Sequence, residues 1–238
     1  MQIMDINCDM GEATGNDELI MPYITSASIA CGYHAGDINE MYKTVQSAVK
    51  NNVKIGAHVS FLDKENFGRT PINLSADEVY EIVEQQLLLL KEVTDLFDVP
   101  LHHVKPHGAL YNQSAANEQL AQAIARAVRD FDRSLVLYGL SGSHSIREAK
   151  LMGMSTASEV FADRNYEDDG SLTPRNFANA MLEDPDLVVR RVLQIVQHGT
   201  LTTVTGKKIA VEAQTICLHG DTTNAVHLAK AIHAAIRR

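Results

Sequence analysis

The chain has 238 residues, with 21 basic against 30 acidic side chains and a formal net charge of −9. That balance excludes a nucleic-acid binder built on a net basic face, and a polybasic membrane-surface protein. Hydrophobic residues make up 45% and charged residues 21%, the mix of a folded globular chain rather than a disordered one.

Strand-like apolar runs fall near residues 3–8, 27–31, 53–58, 101–105, 135–138, 154–158 and 215–218. Helical period fills most of the gaps. The segment 37–51 opens on Asp37 and Glu40, and 75–97 on Ser75 and Glu78, both at capping-box spacing. Residues 114–130 are alanine-rich. The segment 185–198 opens on Asp184-Pro185, an N-cap followed by proline at the first helical position. A last helix is expected over 222–237, closing on Arg237-Arg238, which suits its dipole. Residues 200–212 break the rhythm. Their β-formers flank Thr205-Gly206 and predict an inserted β-hairpin.

Strands alternating with helices predict parallel pairing and right-handed crossovers. Polar residues follow almost every strand rather than one adjacent pair. That favours an α/β fold closed as a seven-stranded parallel β/α barrel, whose strand ends all meet at one mouth, over an open sheet. A single domain over 1–238 is expected. No run reaches the length of a membrane helix, and the N-terminal MQIMDINCDMGE lacks a signal peptide's basic and apolar regions. Cys8, Cys31 and Cys217 are odd in number and widely spaced, so free thiols and a cytoplasmic location are expected. Self-association into a homo-oligomer stays open.

Histidine is the unusual component: ten, against seven Tyr, six Phe and no Trp. Four of them, His34, His58, His107 and His219, fall at predicted strand ends beside glycines. The first strand adds Asp5, Asn7 and Asp9, which alternate and so share one side; Asp5, deepest, reads as structural. Glu12 follows in the loop. Asp37 and Asp221 both have ready readings as N-caps. The loop 59–74 is long enough for a lid and carries Arg69, a possible anion clamp. Lys105 and His107 share a side of the fourth strand, where the lysine is either a partner for a carboxylate or an anion binder. His102 and His103, earlier in that strand, read as structural, while Tyr111 and Asn112 are placed to line a site. After the sixth strand come Glu159, Asp163 and Arg164; Glu167-Asp168-Asp169 reads as a solvated turn. The chain has no P-loop, dinucleotide fingerprint, nucleophile elbow or HExxH motif.

The blocks D-I-N-C-D-M-G-E, I-A-C-G-Y-H-A-G-D, G-A-H-V-S-F, V-K-P-H-G-A-L-Y-N, E-V-F-A-D-R and C-L-H-G-D, in this order, resemble the LamB/YcsF family over essentially the whole chain. Val59 and Thr70 depart from residues usual in that family. The resemblance implies an irregular barrel akin to glycoside hydrolases and deacetylases. It also implies ATP-dependent opening of 5-oxoproline to glutamate by one subunit of a three-part enzyme, with two partner subunits on separate chains. On that basis Lys105 or Arg164 holds the substrate carboxylate, Asp9 or His107 activates water, and Glu159 or Asp163 serves the leaving nitrogen. Asn7, His34, His58 and His219 contact substrate. Two alternatives stay open. One is a metal-dependent, deacetylase-like hydrolase using Asp9, His34, His58, His107 and His219 as ligands of a divalent metal. The other is a non-catalytic subunit that senses a small acid.

Overall fold

A computed structural model describes residues 4–222 and 224–237. Ile3, where the first strand is expected to begin, lies outside them, as do Thr223 and Arg238 of the last expected helix. Seven parallel strands close into a barrel in chain order: β1 (Asp5–Met10), β2 (Ser26–Ala30), β3 (Lys54–Val59), β4 (His103–Pro106), β5 (Val136–Leu140), β6 (Ser155–Phe161) and β9 (Thr215–His219). β9 pairs with both β6 and β1 and shuts the cylinder. The register sets Asp9 beside Ser28 and His219, and His58 beside Lys105. The expected hairpin is β7 (Thr200–Thr202) and β8 (Lys208–Ala210), antiparallel and outside the barrel.

The helices are α1 (Asp17–Ile20), α2 (Ile38–Lys50), α3 (Ala76–Asp95), α4 (Gly108–Ala116), α5 (Glu118–Phe131), α6 (His144–Leu151), α7 (Pro185–His198) and α8 (Ala225–Ile236). Asp37 caps α2 by accepting from the Asn39 and Glu40 amides. Ser75 and Glu78 form a full capping box at α3, and Asp184 caps α7 ahead of Pro185. The helices depart from the expected pattern in three places. The alanine-rich 114–130 is two helices, because the Asn117 side chain caps α5 and so ends α4. α6 has no forecast counterpart. Asp221 is not the cap of the last helix: α8 starts after Asn224, and the Asp221 carboxylate instead lies 2.8 Å from Arg69.

At the barrel floor one carboxylate ties four strands together. Asp5 accepts from Thr25 and Ser26 (2.7 and 2.6 Å) at the start of β2, from Thr215 of β9 (2.6 Å) and from Tyr138 of β5 (3.2 Å). His103 packs above it, its ring stacked on Tyr138 with centroids 4.2 Å apart. No helix among the described residues is long and apolar enough to cross a membrane.

Candidate active site

Above the floor the barrel axis is charged. Lys105 is almost fully buried, and its ammonium donates to Asp9 Oδ1 at 2.7 Å, Asn7 Oδ1 at 3.1 Å and Cys217 Sγ at 3.1 Å, with Glu159 Oε1 paired 2.9 Å away. Asn7 returns two donors, to Glu159 (2.8 Å) and Thr215 (2.7 Å). A buried cation between two carboxylates is tolerable only because each charge is paired and bonded. Burial pushes the Lys105 ammonium down, but Asp9 and Glu159 outweigh it and hold it well above the usual lysine range. Burial likewise pushes Asp9 up, and His58 and Lys105 pull it well below the usual carboxylate range. Lys105 is thus the partner of two carboxylates, and Asn7 and Glu159 are the brackets that fix it. The other Glu159 oxygen and the Tyr111 hydroxyl are buried without hydrogen-bond partners. Burial and then Glu159 push the Tyr111 phenol up.

At the strand ends the histidines separate into two groups. His219 stands alone with Asp163: its Nδ1 lies 2.9 and 3.0 Å from the two carboxylate oxygens, and its backbone amide donates to the same group at 3.1 Å. Burial raises the Asp163 carboxyl, and the charge and hydrogen bonds of His219 more than offset this and hold it below its ordinary value. An ionised Asp163 holds a proton on Nδ1, so in the neutral ring Nε2 is the bare nitrogen. The ring is stacked on Phe161 (centroids 5.4 Å apart) and borders the cavity.

His34, His58 and His107 form the second group, with Glu12. His107 Nδ1 meets His58 Nε2 at 2.8 Å, and Glu12 Oε1 lies 3.2 Å from His34 Nε2 and 3.5 Å from His107 Nδ1. His34 and His107 stack in parallel, centroids 3.8 Å apart. Burial lowers both rings well below the ordinary histidine value, and burial and Asp9 raise Glu12 well above its own.

Of these groups, Asp9, His58, Lys105, His107 and His219 line a cavity of about 1020 Å³ at the barrel mouth. Its cationic side comes from two loops. The loop after β3 brings Arg69. It is pinned rather than free: His107 Nε2 donates to the Phe67 carbonyl at 2.8 Å, and the Ala109 amide to Gly68 at 2.9 Å. The loop after β6 brings Arg164 and Arg175. Arg164 uses its guanidinium on the carbonyls of Thr173 (2.6 Å) and Ala180 (3.4 Å) and so shapes that loop. Burial and then Arg175 lower it to about 10. Burial and then Arg69 lower Arg175 as well. Three guanidinium groups gathered at one rim form a mouth that favours an anion. Reasoning from sequence misses Arg175, whose only signal is its place in a long polar loop. It also misses Ser141-Gly142-Ser143-His144, which lines the cavity after β5.

The hairpin braces the second loop. Thr203 and Thr205 each donate to Asp168 at 2.6 Å, and the Val204 amide donates to Tyr166 at 2.9 Å. Glu167 and Asp169 accept within the same loop, from Thr173 and Ser171. The acidic run 167–169 is the expected exposed turn, closed by the Gly170 amide on the Glu167 carbonyl at 3.0 Å and tied down by these side-chain bonds.

The barrel has clear relatives. The A subunit of 5-oxoprolinase from Tolumonas auensis is 48% identical over 241 residues, covering 99% of this chain and 96% of that protein. Its namesake from Geobacillus thermodenitrificans is 48% identical, covering 100% and 94%. The crystal structure of a lactam utilization protein from Thermus thermophilus superposes with a TM-score of 0.92 at 38% identity, covering 98% of this chain and 96% of that one. The model of the LamB/YcsF family matches residues 4–238, every strand of the barrel included, and the chain belongs to that family.

Proposed function

We propose that this chain is the A subunit of a 5-oxoprolinase, and that its barrel mouth opens the lactam of 5-oxoproline to glutamate. The observation that carries this reading is His219. Its Nδ1 is bound to both oxygens of Asp163, and it borders the same cavity as Lys105 and the arginines. 5-Oxoproline is a carboxylate attached to a cyclic amide, so a site for it needs an anion anchor, a base and a positive group near the carbonyl oxygen.

Arg69 and Arg175 are the anchors, since the guanidinium of Arg164 is occupied by backbone carbonyls. Water gives a proton to His219 Nε2 as its oxygen bonds to the lactam carbon. Lys105, held by Asp9 and Glu159, favours the negative charge that develops on the carbonyl oxygen. The C–N bond then breaks, and His219 returns the proton to the departing nitrogen, which becomes the amino group of glutamate. Asp163 never leaves its salt bridge. Asp9 and Glu159 act through Lys105 and not on the substrate directly.

The lactam is stable, and ATP consumed by the assembled enzyme drives its opening. Two partner subunits complete that assembly, which fits the lack of any nucleotide-binding motif in this sequence. Reconstitution tests the reading. This chain, combined with the partner subunits, 5-oxoproline and ATP, should form glutamate. His219→Gln in the same mixture should lose activity by ~10²-fold or more. Full activity in that variant would remove His219 from the reaction.

A further inference from the structure

We propose that Glu12, His34, His58 and His107 form a binding site for one divalent first-row metal ion, zinc by preference. The outer nitrogens of two rings are held by backbone carbonyls. His58 Nδ1 is 3.0 Å from the Lys105 carbonyl, and His107 Nε2 is 2.8 Å from the Phe67 carbonyl. A carbonyl only accepts, so both outer nitrogens carry hydrogen. In neutral rings the inner nitrogens, His58 Nε2 and His107 Nδ1, are therefore both bare. Yet they face each other at 2.8 Å. Two lone pairs at that distance repel unless a proton or a metal ion lies between them, and the convergence of two further ligand atoms on the same point favours the metal. Outer N–H groups held by carbonyls are also the arrangement that fixes the tautomer of metal-bound histidine.

The remaining ligands converge on the same point. Glu12 Oε1 is 3.2 Å from His34 Nε2, 3.5 Å from His107 Nδ1 and 4.0 Å from His58 Nε2. Ligand atoms about 2.0–2.1 Å from a tetrahedral zinc stand ~3.4 Å apart, and these separations scatter about that value. All four ligand atoms lie within 4.8 Å of one another, and all four residues are buried. Three imidazoles and a carboxylate suit zinc better than calcium or magnesium, which prefer oxygen. His34 is held in place by its stack on His107. The ligands come from four separate parts of the mouth: the loops after β1 and β2, the end of β3, and the residue after β4.

The two competing clusters are already committed. In Asp9–Cys217–His219, Asp9 is bound to Lys105 and His219 Nδ1 to Asp163. In Glu118–His144–Glu148, Arg147 reaches all three residues. A zinc in the four-residue site would place a Lewis acid in the cavity wall, since His58 and His107 line the cavity.

The site is independent of the reaction proposed above. Metal uptake by the chain alone tests the one, and glutamate formation by the assembled enzyme tests the other. Tag-free chain is loaded with zinc, dialysed and analysed for metal, with affinity taken from competition against a chromogenic chelator. One zinc per chain is expected. Glu12→Gln and His107→Gln should each weaken binding tenfold or more, while His219→Gln keeps full stoichiometry. Cobalt in place of zinc should give the visible bands of a tetrahedral nitrogen and oxygen site, without a sulfur charge-transfer band. This readout needs no variant to fold. Well under one zinc per folded wild-type chain overturns the proposal, and so does loss of zinc in His219→Gln, or a cobalt–sulfur band from Cys217.

Discussion

Asp163 and His219 divide one task. The carboxylate takes the Nδ1 proton, and that alone decides which nitrogen meets the cavity. Asp163→Asn keeps the shape but offers an amide that can hold the ring in the wrong tautomer. The expected result is a fall in kcat of the same order as for His219→Gln, ~10²–10⁴-fold, with KM little changed. The arginines should behave in the opposite way. On the proposed reading, Arg69→Gln or Arg175→Gln removes an anchor that binds ground state and transition state alike, so KM should rise while kcat holds. Arg69 is more than a third exposed and already paired with Asp221, so solvent reduces the effect, to roughly tenfold in KM. Steady-state kinetics of the reconstituted enzyme separate the two patterns. A kcat loss confined to the arginine variants would reverse these roles.

Gly68 shows how an element is held rather than what it does. It has a positive φ of 64°, and an added Cβ would overlap Ser60 Oγ and stand 2.8 Å from His34 and 2.9 Å from His107. Gly68→Ala should therefore cost about 1–2 kcal/mol for the backbone and about 1–3 kcal/mol for overpacking. Gly153 has a similar φ of 76° with nothing within 4 Å, so Gly153→Ala bears the backbone cost alone. Thermal melts of the two variants should differ by several degrees, and equal melting temperatures would show that the β3–α3 loop is not packed as described.

The same loop marks where the sequence stops being legible. Strands and long helices carry a period and caps, so β3 is readable to within a residue, and α7 is marked by Asp184-Pro185. α4 is hidden because it starts at a glycine without a side-chain cap and buries Ala109, Leu110, Tyr111 and Ser114 together. The histidine rim is readable because strand ends meet in a barrel whatever their loops do. The arginine mouth is only half readable. Direction in a long loop is set by distant partners: carbonyls 9 and 16 residues away claim Arg164, while Arg175 and Arg69 reach the cavity.

For the whole molecule, closing the barrel means burying titratable groups at its floor, and this predicts how stability responds to acid. His103 lies among Ser28, His102, Tyr138, Asp5 and, higher up, Lys105. Burial lowers its pKa to about 3 from an ordinary 6.5, and the attraction of Asp5 only partly opposes this. The folded chain therefore keeps His103 neutral where the unfolded chain protonates it. This contribution is intact above pH 6.5 and is lost as pH falls from 6.5 towards 3, at up to about 1.4 kcal/mol per pH unit. The Asp5 carboxyl is raised by burial but lowered further by its hydroxyl donors, so its net value is depressed. Its contribution persists until pH falls below the ordinary carboxylate value, and only then is it lost. The two effects occupy separate windows: pH 6.5 to 4 reports His103, and lower pH adds Asp5. Urea unfolding at pH 7, 6 and 5 should show wild type losing stability faster than His103→Gln, which lacks the titrating ring. Because the other buried histidines remain in both proteins, their shared slope cancels in the difference. A difference that stays flat between pH 7 and 5 would mean that His103 takes up its proton as readily in the folded chain as in the unfolded one, and a difference of opposite sign would mean that Asp5 and His103 close the floor as an ion pair rather than as a carboxylate beneath a neutral ring.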